Sequence, residues 1–287
     1  AIALDPVWAL PYSGVAQVWL GMAQMGFATP EISGPVLMEN LNKALELEPD
    51  LADSHFTQAQ IAAWAQWNWE MGEKEFLKAI ELNPNDPMSR IFYAHLLMIL
   101  QRNDEAITQG QLAVDLDPMN PLVLSLYAVV LSSNNQWGKA YDHVSKAVSI
   151  DPFSFFAHHI MEFVAYEVGE TVAFIKAISF IFPFEDEVFL SIERIAEEKG
   201  LQEAYRELVV HLEVLQQSSF LVPVHMANRY ARIDQKNKLL DQLELGFKIR
   251  DQNMPYIASR FNNLEPVYDD PRFLDLIEKL NLPMPGE

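Results

Sequence analysis

The chain has 287 residues, with 40 acidic and 20 basic side chains, which give a formal net charge of −20 at pH 7. This charge has the wrong sign for binding a phosphate backbone or an anionic lipid surface, so neither nucleic acid nor such a membrane is expected as a direct partner. The chain contains no cysteine, which excludes a disulfide framework and a thiolate metal site. Half of the residues are hydrophobic, yet no apolar stretch reaches the roughly 18 residues that a membrane-spanning helix needs.

A short phrase that ends in proline recurs along the first half of the chain. The five copies end at Pro6, Pro49, Pro84, Pro118 and Pro152, so that the later copies follow at steps of 35, 34 and 34 residues. A period of 34 residues with a helix-ending proline is the length of one helix-turn-helix unit. The sequence is therefore identified as a member of the tetratricopeptide repeat (TPR) family. This resemblance implies an all-α fold, a right-handed α-solenoid of helix-turn-helix repeats.

Small residues recur at the two places in each unit where its helices cross closely. With each proline counted as position 32, position 8 and position 27 are occupied by Ala16, Ala94, Ala128, Ala44, Ala79, Ala113 and Ala147, with Gln60 as the exception. A small side chain at a crossing leaves room for a bulky one from the paired helix. We therefore expect Ala94 and Ala128 to be fully buried.

The first unit departs from the regular period. The step from Pro6 to Pro49 is 43 residues, and an inserted loop is predicted around Phe27 to Pro35, where Gly26, Pro30, Gly34 and Pro35 are expected to break any helix. Residues 1 to 6 look like the last turn of a second helix whose partner is missing. The chain is therefore expected to be a fragment, with incomplete cover over Val15, Val18 and Trp19.

Beyond Pro152 the repeat degenerates, and helices are predicted from apolar residues at helical spacing. The predicted ranges are Phe155 to Val168, Val172 to Ile181, Glu187 to Glu198, Gln202 to Leu215, Leu221 to Ile233 and Lys238 to Ile249. About seven helical pairs result, stacked so that each pair is buried only against its neighbours. Asp270 is predicted to cap a last helix that begins at Pro271 and covers the end of the array. The resulting domains are a regular array (1–183), degenerate pairs (184–250) and a C-terminal capping segment (251–287).

Two runs resemble something narrower than TPR proteins in general. Trp67 to Pro84 and Tyr268 to Pro283 are similar to the repeat unit and the closing segment of bacterial multi-repeat domains that follow a signalling domain. The resemblance implies an upstream adenylate or guanylate cyclase, winged-helix or protein kinase domain. It implies a cytoplasmic location if that domain is a cyclase, and leaves a periplasmic one open if a membrane span lies upstream.

No catalytic constellation is found in the sequence, so the chain is predicted not to be an enzyme and to need no cofactor or metal. A glycine-rich phosphate loop, a His-Glu-x-x-His pair and a cysteine nucleophile are all missing. His158 and His159 are adjacent, so on a helix they point about 100° apart and cannot chelate one ion.

A concave groove is the expected binding site, because in TPR arrays the first helix of each unit lines it. The predicted lining is Ser54, Thr57, Ile61, Trp64, Met88, Ile91, His95, Met98, Leu122, Ser125, Val129, His159 and Phe163. Among them, Trp64, Ile91, His95 and Ser125 are expected to line one continuous furrow with side chains that are reachable from solvent. The lining holds no lysine or arginine, so it lacks the basic clamp with which some TPR proteins hold a peptide carboxylate. Its apolar character suits an apolar protein segment.

Three functions remain open at this stage. The leading hypothesis is a non-catalytic regulatory module of a bacterial signalling protein, which binds a protein or peptide segment along the groove. The alternatives are a structural module that forms homo-oligomers through its N-terminal edge, and a sensor of an apolar small molecule or lipid. Whether a segment of the chain itself fills the groove is not decided by the pattern.

Overall fold

The structure is a computed structural model that describes residues 1–24, 28 and 30–285, without the side chains of residues 24, 30 and 31. Within these ranges it contains fifteen α-helices and no strand. They are α1 (Ala9–Gln24), α2 (Pro30–Leu47), α3 (Ala52–Gln60), α4 (Trp69–Leu82), α5 (Pro87–Ile99), α6 (Asn103–Leu116), α7 (Pro121–Ser133), α8 (Trp137–Ile150), α9 (Phe155–Val168), α10 (Thr171–Ile181), α11 (Asp186–Lys199), α12 (Leu201–Leu215), α13 (Pro223–Arg232), α14 (Lys236–Ile249) and α15 (Pro271–Lys279).

Six pairs of consecutive helices pack against each other as helix-turn-helix units: α1 with α2 and α3 with α4 in the first part of the chain, and α7 with α8, α9 with α10, α11 with α12 and α13 with α14 in the second. By its internal contacts the chain divides within α5 into two compact units, Ala1–Leu96 and Leu97–Glu287. None of the described helices combines the length and the apolar character that crossing a bilayer requires.

Local signals set the helix boundaries. The side chains of Asn68, Asn120 and Ser154 accept hydrogen bonds from backbone N–H groups in the first turns of α4, α7 and α9. Asp270 accepts a hydrogen bond from the Arg272 N–H at 2.9 Å, and Pro271 is the first residue of α15. The predicted cap of this last helix is thus confirmed. Such caps satisfy donors that have no partner within the helix.

The alanines at the helix crossings are fully buried, which confirms the repeat phase. Ala94 and Ala128 have no exposed surface, and the same holds for Ala16, Ala44, Ala79, Ala113 and Ala147. Later in the chain Gly246 plays this part. A Cβ atom built there would lie 2.9 Å from the Met254 Sδ, so the thioether packs directly on the backbone of α14.

The predicted loop around Phe27 to Pro35 is wrong over its second half. Helix α2 begins at Pro30 and continues through Gly34 and Pro35. Pro30 at the first helical position costs little, because the first N–H groups have no partner within the helix. Pro35 is the sixth residue of α2, so the helix continues there without one backbone hydrogen bond. Part of the inserted length therefore lengthens α2, which has 18 residues where α4 has 14. Gly26 and Phe27 lie outside the described residues.

A turn of π-helix moves Trp64 away from its predicted place. The turn spans Ile61–Ala65 directly after α3, and Gln66 N donates to Ile61 O across it at 3.0 Å. A wide turn shifts the phase of all residues that follow. The Trp64 ring consequently packs edge-on against Phe76 and Phe92, with centroids 6.0 and 5.8 Å away. Trp64 belongs to the core between α4 and α5 rather than to a groove.

The surface of α1 is only partly covered by the described residues. Val18 is 62 % exposed, as expected, and Val15 is half-buried. Trp19, by contrast, packs against a core cluster that includes Ala16, Leu20 and Leu41. Residues 1–7 form hydrogen-bonded turns, in which Asp5 N donates to Ala1 O at 3.0 Å.

The later pairs do not stack in simple order, in contrast to the prediction that each pair contacts only its neighbours. Helix α11 has a single buried residue, Ile192. Tyr205 of α12 packs on Tyr166 of α9 at 4.5 Å and on Phe174 of α10 at 5.7 Å, a contact between adjacent pairs that agrees with the prediction. Helix α13 departs from it: two of its arginines pair with carboxylates of α9, so this helix contacts a pair that is not its neighbour in the chain. The second unit is therefore folded back on itself.

Candidate functional site

The predicted groove residues of the second unit lie on α7 and α9, and most of them are buried. Ser125, Val129 and Phe163 are almost fully buried, and His159 is 9 % exposed. Only Leu122, at the start of α7, is clearly exposed, at 37 %. The expectation that Ser125 is reachable from solvent is therefore wrong, because other parts of the chain cover this face.

In the first unit the predicted residues are also buried. Ser54, Thr57, Ile61, Trp64, Ile91 and His95 are all less than one tenth exposed, and Met88 is half-buried. Met98 lies near the end of α5 and already belongs to the second unit; it is also buried and borders a cavity of about 200 Å³ together with Ala258 and Ser259.

Two of the hydroxyl groups predicted to line the groove form hydrogen bonds within their own helices. Thr57 Oγ1 donates to Asp53 O at 2.8 Å, and Ser125 Oγ donates to Pro121 O at 2.7 Å. Serine and threonine in helices often form such bonds to the carbonyl one turn earlier. These two hydroxyls are therefore not presented to a partner.

A segment of the chain itself covers the face formed by α7 and α9. This segment, residues 251–263, follows α14 and is called the strap below; it contains two short 3₁₀ turns, Met254–Ala258 and Arg260–Asn262. The second turn lies against α7. The Phe261 ring meets the Phe163 ring of α9 edge-on at 5.6 Å. The question left open by the sequence is thus answered: the chain occupies this face itself.

The strap is held by polar contacts at both ends. Its first residue, Asp251, accepts a hydrogen bond from the Val224 N–H at the start of α13 at 3.1 Å. Its last residue, Asn263, donates from Nδ2 to Glu167 Oε1 of α9 at 2.5 Å. Further along the chain, Gln101 Nε2 donates to the carbonyl oxygens of Pro283 and Met284 at 3.1 and 2.8 Å. The C-terminal stretch therefore returns to the turn between α5 and α6.

Two buried ion pairs join α13 to α9 beside the strap. Arg229 binds Glu162 with two hydrogen bonds, from Nε to Oε1 at 3.1 Å and from Nη2 to Oε2 at 2.6 Å. Arg232 pairs with Glu167 at 2.9 Å. Both guanidinium groups also lie over the Phe163 ring, 5.2 and 5.1 Å from its centroid. Burial raises the pKa of the Glu162 carboxyl, while Arg229 and Arg232 oppose that rise.

Two neutral histidines complete this polar layer. The rings of His159 and His225 lie 4.4 Å apart, at an angle of 42°. Burial lowers the pKa of His159 well below its usual value, and His225 and Arg229 lower it further. Burial together with Arg229 lowers the pKa of His225 to about 3, although a side-chain hydrogen bond with Asn253 of the strap acts the other way. Both rings are therefore uncharged at neutral pH.

A second concave feature is an open cleft of about 420 Å³ lined by residues of α6, α7 and α8. Gln111, Lys139 and His143 line it, and Tyr127 forms part of its floor. Tyr127 donates a hydrogen bond to Gln111 Oε1 at 3.2 Å, and burial lowers the pKa of His143. These groups do not form a nucleophile with a base. Over the residues that the structure describes, no group of three or more metal-binding side chains comes together.

The residues that form the ion pairs of this site were not identified from the repeat pattern. Arg229 and Arg232 are one helical turn apart, and Glu162 stands alone in the middle of an otherwise apolar stretch of α9. A lone carboxylate among apolar helix residues needs a buried cation as its partner. This signal was present in the sequence, but it did not say which arginine would provide the cation.

Comparison with known proteins supports the fold. No family model matches the chain. Among solved structures, it is similar to that of Pseudomonas aeruginosa pilF, at 20 % identity over 72 % of this chain and 93 % of that chain, with a TM-score of 0.53. It is also similar to PilW, a widely conserved type IV pilus biogenesis factor, at 16 % identity over 72 % of this chain and 94 % of that chain, with a TM-score of 0.54. The chain has the all-α, helix-turn-helix fold of tetratricopeptide repeat proteins.

Proposed function

We propose that the chain is a non-catalytic protein-interaction module that binds a polypeptide segment on the concave face formed by α7 and α9. The observation that carries this proposal is the strap. An irregular segment of polypeptide already lies on this face, held by an aromatic contact and by side-chain hydrogen bonds. A surface that holds such a segment within one chain has the shape and the polar groups to hold one from another chain.

The wider context of this module is also a proposal. The runs Trp67 to Pro84 and Tyr268 to Pro283 resemble those of bacterial signalling proteins, so we place the module in such a protein, where it regulates an output domain. The charge of −20 favours protein partners over nucleic acid. Because the α7 and α9 side chains are covered by protein, the structure offers less support for a sensor with an open apolar groove.

Binding in trans provides the test. We would weaken the strap in the full chain with Phe261→Ala, which removes the ring that meets Phe163, and add a fluorescent peptide with the sequence of residues 251–266. Fluorescence anisotropy should show that the variant binds this peptide at least tenfold more tightly than the unaltered chain does, because the strap no longer competes as strongly.

The control is Glu105→Lys, introduced into the Phe261→Ala chain. Glu105 is an exposed residue of α6 whose carboxylate pairs with Arg102 and not with the strap, so its reversal should leave peptide binding intact. If a folded Phe261→Ala chain does not bind the peptide at micromolar to millimolar concentrations, the α7 and α9 face is not a peptide site and the proposal fails.

A further inference from the structure

Three consecutive residues of the strap contact three different residues of the face beneath. The Phe261 ring packs edge-on against Phe163 at 5.6 Å. The Asn262 Oδ1 accepts a hydrogen bond from Asn228 Nδ2 at 3.0 Å. Asn263 Nδ2 donates to Glu167 Oε1 at 2.5 Å. The face thus contacts the strap through one aromatic side chain, one amide and one carboxylate.

The conformation of the strap also depends on this triplet. Asn262 Nδ2 donates at 2.8 Å to the carbonyl oxygen of Tyr256, six positions earlier in the chain, which closes a compact turn. Asn263 adopts a left-handed backbone conformation with φ of 52°, which asparagine tolerates better than most residues. Asparagine at these two positions therefore serves both the turn and the contacts with the face.

The residues that receive the strap are also held by contacts within the face itself. Glu167 is paired with Arg232, and the guanidinium groups of Arg229 and Arg232 both lie within about 5 Å of the centroid of the Phe163 ring, at 5.2 and 5.1 Å. Asn228 is almost fully buried and is hydrogen bonded to Arg232 on the same helix. A site with preset, buried polar groups discriminates strongly, because a ligand without matching groups leaves them unpaired.

We propose that this site recognises a turn in a partner protein that carries an aromatic residue followed by two asparagines, and that the strap is the intramolecular copy of this ligand. The inference rests on the proposed function and adds the chemistry of the partner. The partner must displace the strap, which is attached to the site and is present at an effective concentration in the millimolar range. The apparent affinity for the partner is therefore the intrinsic affinity multiplied by the fraction of molecules in which the strap is open.

The test uses the full Phe261→Ala chain and variants of the 251–266 peptide. In the peptide, Phe261→Ala should weaken binding at least tenfold, and so should replacement of both Asn262 and Asn263 by Ala. The matched control is Arg260→Ala, since Arg260 is the exposed residue that precedes the triplet. That peptide should bind within about twofold of the original, because the side chain of Arg260 makes none of the three contacts.

The possible results separate this inference from the proposed function. If a scrambled peptide or the peptide without both asparagines binds as tightly as the original, the face binds polypeptide without reading the triplet, and the inference is wrong while the function stands. If no peptide binds, both are wrong. Light scattering on the same samples distinguishes a third case: a stable dimer without added peptide would show that the strap is exchanged between two copies, which also overturns the inference.

A milder variant guards against misfolding. If circular dichroism shows that Phe261→Ala does not fold, Phe261→Leu retains apolar volume but removes the aromatic contact. Hydrogen exchange in the unaltered chain gives an independent readout. Excess peptide should accelerate exchange of the amides of residues 254–263 at least threefold, because the strap is displaced, whereas the Phe261→Ala peptide should not. Equal exchange with both peptides would overturn the inference.

Discussion

The pairs α7–α8 and α9–α10 differ from the helices that follow them in how they are held together. In the earlier pairs, alanines at the crossings allow adjacent helices to pack through apolar side chains that are close in sequence. In the later part, α13 and the strap return to α9 through ion pairs and amides that are 67 and 96 residues apart in sequence. Regular repeats thus need only their neighbours, whereas the closed region depends on a few specific polar residues.

The buried ion pair should provide the largest effect. Arg229→Ala leaves the Glu162 carboxylate buried without its partner, and we expect a loss of about 3 to 5 kcal/mol in the free energy of unfolding, measured by urea denaturation. Replacing both residues, as Glu162→Leu with Arg229→Met, should cost less than the single change.

Arg272→Ala is the control for this prediction. Arg272 pairs with Asp241 and Glu244 at the surface, so its loss should lower the free energy of unfolding by about 1 kcal/mol or less. A loss in Arg229→Ala no greater than in this control would contradict the contrast between the two regions.

A larger side chain at a helix crossing should destabilise the regular repeats. Ala128 is fully buried at a helix crossing, and Ala128→Leu should destabilise the chain by about 1 to 3 kcal/mol in urea melts. Ala65→Leu, at an exposed position, should change stability by no more than about 0.5 kcal/mol. An unchanged midpoint for Ala128→Leu would mean that the crossing tolerates bulk and that the alanines are not required there.

Two glycines, Gly110 and Gly138, provide a second test of how tightly the regular repeats are packed. A Cβ atom at Gly110 would lie 2.4 Å from the Tyr127 ring, whereas one at Gly138 would meet nothing within 4 Å. Thermal melts should therefore show that Gly110→Ala destabilises by about 1 to 3 kcal/mol. Gly138→Ala should be neutral or stabilising by up to about 1 kcal/mol, because alanine favours a helix. Similar effects at both sites would show that Tyr127 simply moves aside.

The smallest predicted effect concerns pH. The pKa of His225 is about 3 in the folded chain and near 6.5 when unfolded, so the unfolded chain binds the extra proton as the pH falls below 6.5. As far as this group is concerned, the free energy of unfolding is therefore highest above pH 6.5 and falls progressively as the pH decreases toward 3. Between pH 7 and pH 5.5 the unaltered chain should lose about 1 kcal/mol more than His225→Gln does. Parallel pH profiles for the two chains would contradict the burial of this ring in its neutral form.

The sequence by itself determined the features that depend on residues close to one another. The period of 34 residues, the buried alanines and the cap at Asp270 follow from spacing and local hydrogen bonding, and all are found in the structure. The helices beyond Pro152 were likewise predicted to within about two residues at most ends. Local propensity and apolar periodicity decide these features before any distant contact forms.

Only the tertiary structure decided where the concave residues lie and what covers them. Trp64 moved into the core because a single π turn shifted the helical phase, and Phe163 was covered because Phe261, almost 100 residues later, packs on it. Nor does any local rule pair Glu162 with Arg229. Contacts between distant segments depend on how the whole unit closes, and a repeat period carries no information about a segment that leaves the repeat.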